Sequence, residues 1–338
     1  MPGLTFDNVV AGGFALCRVR TSGGPELGVV VDGTAYSLSA VLGSAVASAD
    51  VLFPDWDAQM DKLQAWSDAQ RAGQADASPL PSDAEVLPPV EPRNVFQAAA
   101  NYRKHVIDLM VASPRPEHVD LDERGRRAVA VTLMDERAAS GTPTVFSGLP
   151  SSMTGPFGRV VIPHITSQCD WELELAAVIG RPARYAAAES ALGFVAGYTI
   201  VNDITMRDRL YPSGDSKRGA DWLACKSAPT FLPTGPLLVP ARFVPDPSRL
   251  TITLRLNGET MQDESTADMI FGLPRLIEHT SYCAQLLPGD LLLTGSPAGN
   301  GVHHGRFLRA GDVIEGRITG LGVQGTPCVD EETGRELA

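Results

Sequence analysis

From residue 144 onward the chain is divided by glycine and proline into short apolar runs: TVFSGL, RVVIP, LELAAVIG, GYTIVND, GPLLVP, LTITLRLNG, DLLLTG and DVIEGRITGLG. Each run has strand length, and each ends before a helical repeat can develop. Helical spacing interrupts the pattern near 186–195 and 270–287. The punctuation therefore predicts an α+β, mostly β fold: a curled or barrel-like body with peripheral helices. The 33 glycines and 26 prolines follow no collagen period, so they mark tight turns. At 43% hydrophobic the 338 residues can fill a sizeable core, which excludes disorder as the main state.

The N-terminal part reads as a separate, smaller β unit. Residues 13–38 alternate apolar and polar around Gly-Gly and Asp-Gly turns, as antiparallel strands do. Residues 45–75 have helical spacing, with Val51, Leu52, Met60, Leu63 and Trp66 as core positions. The Pro-rich stretch 76–93 reads as a linker. The expected division is thus 1–92, a small β-rich domain with its linker, and 93–328, a catalytic domain. The second part opens on a strand (NVFQAAA) and a helix (NYRKHVIDLMVA). Residues 113–141 then depart from the β pattern as a charged helical excursion. This is either a lid or a surface helix, and its Arg115, Arg124, Arg126, Arg127 and Arg137 either reach a substrate anion or pair locally.

The formal charge of −12 disfavours nucleic acid and anionic membranes as partners. It would also repel a carboxylate substrate unless a metal or a cationic cluster reverses the local sign. The N-terminus has no basic segment leading into an apolar run, and no stretch approaches the roughly 18 apolar residues of a membrane span. Five scattered cysteines without CxxC spacing suit a reduced, cytoplasmic protein. Six histidines without an HExxH motif leave no zinc signature.

The chemistry concentrates in Asp170-Trp-Glu-Leu-Glu-Leu-Ala-Ala-Val-Ile-Gly180. On a strand, Glu172 and Glu174 point to one face, where two like charges need a cation or a shared proton. The run ending at Asp203 adds a third carboxylate. Such a set suits Mg²⁺, Mn²⁺ or Ca²⁺, and the alternative is a solvated edge strand. On the helix after NVFQAAA, His105 and Asp108 are i,i+3 neighbours, so the carboxylate can orient the imidazole as a general base. Lys226 sits between small residues, where an ammonium fits a pocket. Arg207 is placed to hold either the carboxylates or a substrate anion. The Gly-rich turn after DLLLTG offers Thr294, Ser296 and backbone amides to a carboxylate.

In this order, NYRKH, DWELELAAVIG, GYTIVNDITMRD, CKS, GPLLVP, LNGETMQDESTADMIF and PGDLLLTGSPAGNG resemble the fumarylacetoacetate hydrolase family over about residues 93–325. The resemblance implies a mixed β-sandwich roll in a homodimer. It implies that Glu172, Glu174 and Asp203 bind Mg²⁺ (or Mn²⁺ or Ca²⁺). His105 then activates water, with Asp108 where hydrolytic relatives carry a glutamate. Lys226 is the active-site lysine, and Tyr102, Arg207, Thr294 and Ser296 contact the substrate. The implied activity is hydrolysis of a C–C bond in an acylpyruvate-like or 2,4-diketo acid. Decarboxylation, isomerisation or hydration of a 2-oxo acid is the alternative, and metabolite binding without turnover a second. Three departures lie where selectivity is set. Phe146-Ser-Gly-Leu-Pro150 lacks a lysine common in the family, Leu210 stands near a glutamine of some hydrolases, and the 113–141 segment is longer than in compact members.

Overall fold

The two runs LELAAVI and VAGYTIVN form the centre of the computed structural model, which describes residues 3–44, 46–75, 77–112, 116–211 and 219–332. Leu173–Ile179 pairs antiparallel with Val195–Asn202, from Leu173 opposite Asn202 to Ile179 opposite Val195. Every residue of both strands is buried, which explains their continuous apolar sequence. Leu291–Leu293, Val95–Ala99 and Thr144–Gly148 extend the sheet on one side, and Val239–Pro240 closes it on the other. Only the contact between Leu291–Leu293 and Val95–Ala99 is parallel within this six-stranded sheet.

The two faces of the sheet serve different cores. Leu173, Leu175, Ala177 and Ile179 pack with Ile252, Leu254, Ile314 and Ile318 of a five-stranded sheet. That sheet runs in the order Glu259–Ser265, Thr251–Leu256, Val313–Ile318, Val323–Asp330, Val160–Ile162. On the other face Ala176, Val178, Val95 and Val201 pack with Phe14, Leu16, Leu27 and Val29. These last four belong to the N-terminal sheet, ordered Thr34–Ser37, Gly24–Val31, Phe14–Thr21, Glu85–Leu87. Strands thus dominate and helices lie outside them, as the punctuation predicts.

Several local expectations change. The stretch 76–93 carries the edge strand Glu85–Leu87, and buries Leu80, Val86, Leu87 and Val90, so it packs rather than tethers. Helix Trp56–Arg71 buries Met60 and Leu63, but Val51 lies in a 3₁₀ turn at 61% exposure and is not a core residue. Residues near 186–195 form a 3₁₀ segment, Ala188–Phe194, rather than an α-helix. In the 113–141 segment, helix Glu123–Ser140 lies against helix Arg103–Ala112 through Val106, Ile107, Ala130 and Met134. Its arginines are largely engaged nearby. Arg127 pairs with Asp108 at 3.1 Å, Arg126 donates to the Leu121 carbonyl at 2.8 Å and Arg137 to the Ala100 carbonyl at 2.7 Å. Arg124 is exposed, and Arg115 lies outside the described residues.

Candidate active site

The face of the central sheet that packs on the N-terminal unit turns polar at one end. Glu174 follows the Ala176–Val178 row, and Asp203 follows Val201, which pairs with Glu174. Backbone bonds lock these ends together: Asp203 N donates to the Glu172 carbonyl at 2.8 Å, and Glu172 N to Asn202 Oδ1 at 2.9 Å. Ligand atoms of Glu172, Glu174 and Asp203 all lie within 4.8 Å of one another, and all three residues are buried. The alternative of a solvated edge strand therefore fails.

Two cations reach this cluster, Lys226 buried and Arg207 partly buried. Lys226, on helix Trp222–Lys226, donates to Glu172 Oε2 at 2.6 Å, to Thr205 Oγ1 at 2.8 Å and to Asp203 Oδ2. Arg207 bridges Asp170 Oδ2 at 2.7 Å and Glu172 Oε1 at 2.6 Å. Of the two roles open to Arg207, the structure shows it holding the site's carboxylates. Asp170 is fully buried and also accepts from Gly301 N at 2.6 Å and Trp171 N at 2.8 Å.

Four buried carboxylates thus face two cations, a deficit of two charges. The protonation balance reflects it. Burial, reinforced by Asp203 and Glu172, pushes Glu174 well above the usual carboxylate range. Burial and Glu172 lift Asp203 to about 6 against the pull of Lys226. Glu172 stays well below its usual range because Arg207 and Lys226 outweigh its desolvation. Asp203 Oδ1 has no hydrogen-bond partner. Hard oxygen donors, an orphaned carboxylate oxygen and a deficit of two charges all fit a divalent cation held by Glu172, Glu174 and Asp203.

A pH signature follows. Metal-free, the folded protein keeps protons on Asp203, up to about pH 6, that the unfolded chain has already released. Folding then binds protons between about pH 4 and 6, so this contribution to stability falls as pH rises through that window. A divalent ion takes the protons' place. The gain in melting temperature on adding Mn²⁺ is expected to be larger at pH 8 than at pH 5, and a pH-independent gain would contradict it.

His105 is 5% exposed, and its ring lies against that of His303 with centroids 5.1 Å apart. Burial outweighs Glu172 and lowers its pKa to about 3, so the imidazole is neutral. Its Nδ1 has no hydrogen-bond partner. Asp108 is not joined to it, because that carboxylate is engaged by Arg127 across the helix pair. Tyr102 is fully buried, with its hydroxyl 3.5 Å from Thr294 Oγ1, which itself donates to the Leu175 carbonyl at 3.0 Å. Ser296 Oγ accepts from Gln262 Nε2 at 3.0 Å and Asn300 Nδ2 at 3.2 Å. These hydroxyls are therefore taken up by protein groups. The Gly-rich turn still serves the site, since Gly295 N donates to Glu174 Oε2 at 2.7 Å. Gly295 has φ +88°, and a β-carbon there would sit 3.0 Å from the Ala98 carbonyl oxygen, so the close approach needs glycine.

Sequence reasoning missed Asp170, Thr205, His303 and a wall of Phe146 stacked on Trp222, with ring centroids 4.1 Å apart. Asp170 opens the same run as the two glutamates, so a charge count over that run would have included it.

A cluster of buried strand-end carboxylates with an embedded lysine and an adjacent neutral histidine, on a β-roll, is suited to hold a divalent metal ion through oxygen ligands. The family described as fumarylacetoacetate (FAA) hydrolase, C-terminal, matches residues 94–329. The chain belongs to the fumarylacetoacetate hydrolase family. It is 40% identical over 183 residues to the mitochondrial oxaloacetate tautomerase of Bos taurus, covering 54% of this chain and 57% of that protein. The match thus spans little more than half the length of that relative. It is 35% identical over 244 residues to an uncharacterized protein of Pyrococcus abyssi, covering 72% of this chain and 93% of that protein. Among solved structures, the fumarylacetoacetate hydrolase of psychrophilic Exiguobacterium antarcticum superposes with a TM-score of 0.70 at 27% identity, covering 94% of this chain and all of that one. Among the described residues no helix is long and apolar enough to cross a membrane. The cytoplasmic placement expected from the cysteines differs from the mitochondrial one in the name of the Bos taurus relative.

Proposed function

We propose that the chain is a divalent-metal-dependent enzyme that interconverts the enol and keto forms of a small 2-oxo acid, with His105 as the proton carrier. The observation that carries this is the neutral, carboxylate-free imidazole of His105 buried beside the triad. When bound by Glu172, Glu174 and Asp203, Mg²⁺ or Mn²⁺ supplies the positive charge that stabilises an enolate. A neutral imidazole accepts the enol O–H proton and returns it to C3, so one proton moves and no other bond breaks. Lys226 cannot be the base, because its carboxylate partners outweigh burial and hold its proton firmly. It acts as a fixed cation toward the substrate's oxygens. The tautomerase name of the Bos taurus relative supports this chemistry.

The expected result for His105→Ala is a loss of about 10²- to 10⁴-fold in the rate of oxaloacetate enol–keto exchange. Its Mn²⁺-induced gain in melting temperature should be retained. Exchange at the wild-type rate in that variant would remove His105 from the mechanism.

The second reading is C–C hydrolysis of an acylpyruvate-like or 2,4-diketo acid, in which His105 deprotonates water and Asp108 supports it. Its support is that both side chains leave one helix three residues apart, and that the Exiguobacterium antarcticum structure is named a hydrolase. Asp108 would first have to leave Arg127. Asp108→Asn separates the two. Tautomerisation should change by less than about 3-fold, whereas a dyad mechanism predicts a loss on the order of 10²-fold. Cleavage of an acylpyruvate in H₂¹⁸O must also place ¹⁸O in a carboxylate product. Decarboxylation or hydration would use the same carboxylates and show in the product. The homodimer belongs to the same proposal and is read by sedimentation.

A further inference from the structure

Gln97 belongs to the site wall, and neither function above uses it. It lies on strand Val95–Ala99 at 1% exposure; its amide lies toward Asp203, and neither Nε2 nor Oε1 completes a well-formed hydrogen bond. A buried amide whose hydrogen-bonding capacity is largely unmet is costly, and among side chains it is uncommon without a ligand or water to meet it.

The sheet register places this amide at the carboxylates. Ala176 pairs with Leu293, Leu293 with Gln97, and Gln97 with Phe146, so these residues form one row across one face. Glu174 stands two residues from Ala176, on that same face. The row ends at Phe146, whose ring lies 5.9 Å from Lys226 Nζ. The amide also faces Asp203 and favours its ionised form. On the next strand Gly148 leaves the room for this placement, since a β-carbon there would overlap Gln97 Oε1.

We propose that Gln97 contacts the substrate, its Nε2 donating to an oxygen of the 2-oxo acid or enolate held over Glu172, Glu174 and Asp203, and that Gly148 is the space that keeps the amide aimed there. The inference rests on the 2-oxo acid reading above. It makes Gln97 a neutral determinant of which small oxo acid is accepted, set between the Phe146–Trp222 wall and the carboxylates.

The test is calorimetric titration of oxalate, a planar enolate mimic, into Mn²⁺-saturated wild type, Gln97→Leu, Gly148→Ala and the double variant. Each single variant should bind oxalate about 10- to 100-fold more weakly, the loss of one charge-assisted hydrogen bond. The double variant should be no weaker than Gln97→Leu alone, because Gly148 acts through the amide. Equal oxalate affinity in wild type and Gln97→Leu, with or without a lower melting temperature, overturns the contact and leaves a packing role. Absence of oxalate binding to the wild type overturns the 2-oxo acid reading, and the contact falls with it. If leucine is not accommodated, Gly148→Ala still tests the contact, because it displaces only the amide.

Discussion

Glu174→Gln is expected to lower metal-dependent turnover by at least about 10³-fold while leaving the metal-free protein as stable as its parent, or more so, at pH 8. The first effect comes from removing one of the three proposed ligands to an ion whose charge stabilisation is worth several kcal/mol in a transition state. The second comes from the charge deficit. In the metal-free protein the Glu174 carboxylate is disfavoured by burial and by the charges of Asp203 and Glu172. An amide keeps the one bond that Glu174 makes, since its oxygen can accept from Gly295 N, now 2.7 Å from Glu174 Oε2. Its new nitrogen faces a cluster in which Asp203 Oδ1 lacks a partner. Calorimetric titration with Mn²⁺ and thermal unfolding without metal measure the two effects separately. Retained Mn²⁺ affinity would exclude Glu174 as a ligand. A marked loss of metal-free stability would show that its charge is compensated by groups other than those described.

The same balance of local and long-range causes decides what the sequence reveals. Strands Leu173–Ile179 and Val195–Asn202 are legible because both faces are buried, so almost every position must be apolar. Glu259–Ser265 is polar at nearly every position and buries only Gln262, so no hydrophobic pattern announces it. It exists because Asn257-Gly258, both at positive φ, fold the chain back on Thr251–Leu256. That Asn-Gly pair is a hairpin signal in the sequence. Val51 looked like a core position on helical spacing, but the helix begins at Trp56, and the turn before it carries no 3.6-residue period.

In the site, Glu172 and Glu174 could be read because a period of two fixes their common face without knowledge of the partner strand. Asp203 could be read as the polar end of an apolar run. What could not be read depends on chain segments brought together from afar. His105 and Asp108 are near neighbours on a helix, yet the charge that claims Asp108 belongs to Arg127, on a helix 19 residues away. Likewise the arginine that neutralises Asp170 is 37 residues distant, and the short pairing of Cys169–Asp170 with Thr205–Met206 brings it there.

Lys226→Met is expected to separate metal affinity from catalysis. Among the described residues Lys226 is the one cation bonded to the carboxylates of both Glu172 and Asp203. Methionine matches its stem, but it leaves Glu172 with Arg207, itself shared with Asp170, and takes from Asp203 the cation it is paired with. Breaking a buried pair in this way costs about 3–5 kcal/mol. At pH 8 the metal-free variant should therefore unfold at a much lower temperature than its parent. The sign with pH is fixed. Without the ammonium the folded pKa values of both carboxylates rise, Glu172 from below its usual range and Asp203 further above it, so the lost stability returns as pH falls and they take up protons. Mn²⁺ should also restore it and should bind more tightly than to the parent, because the repelling cation is gone. Turnover of the proposed 2-oxo acid should nevertheless stay low, since the fixed positive charge proposed to face the substrate is missing. A variant that binds Mn²⁺ tightly and is folded but inactive would assign Lys226 to the substrate. A variant with parental activity would leave it as no more than a counter-charge for the carboxylates.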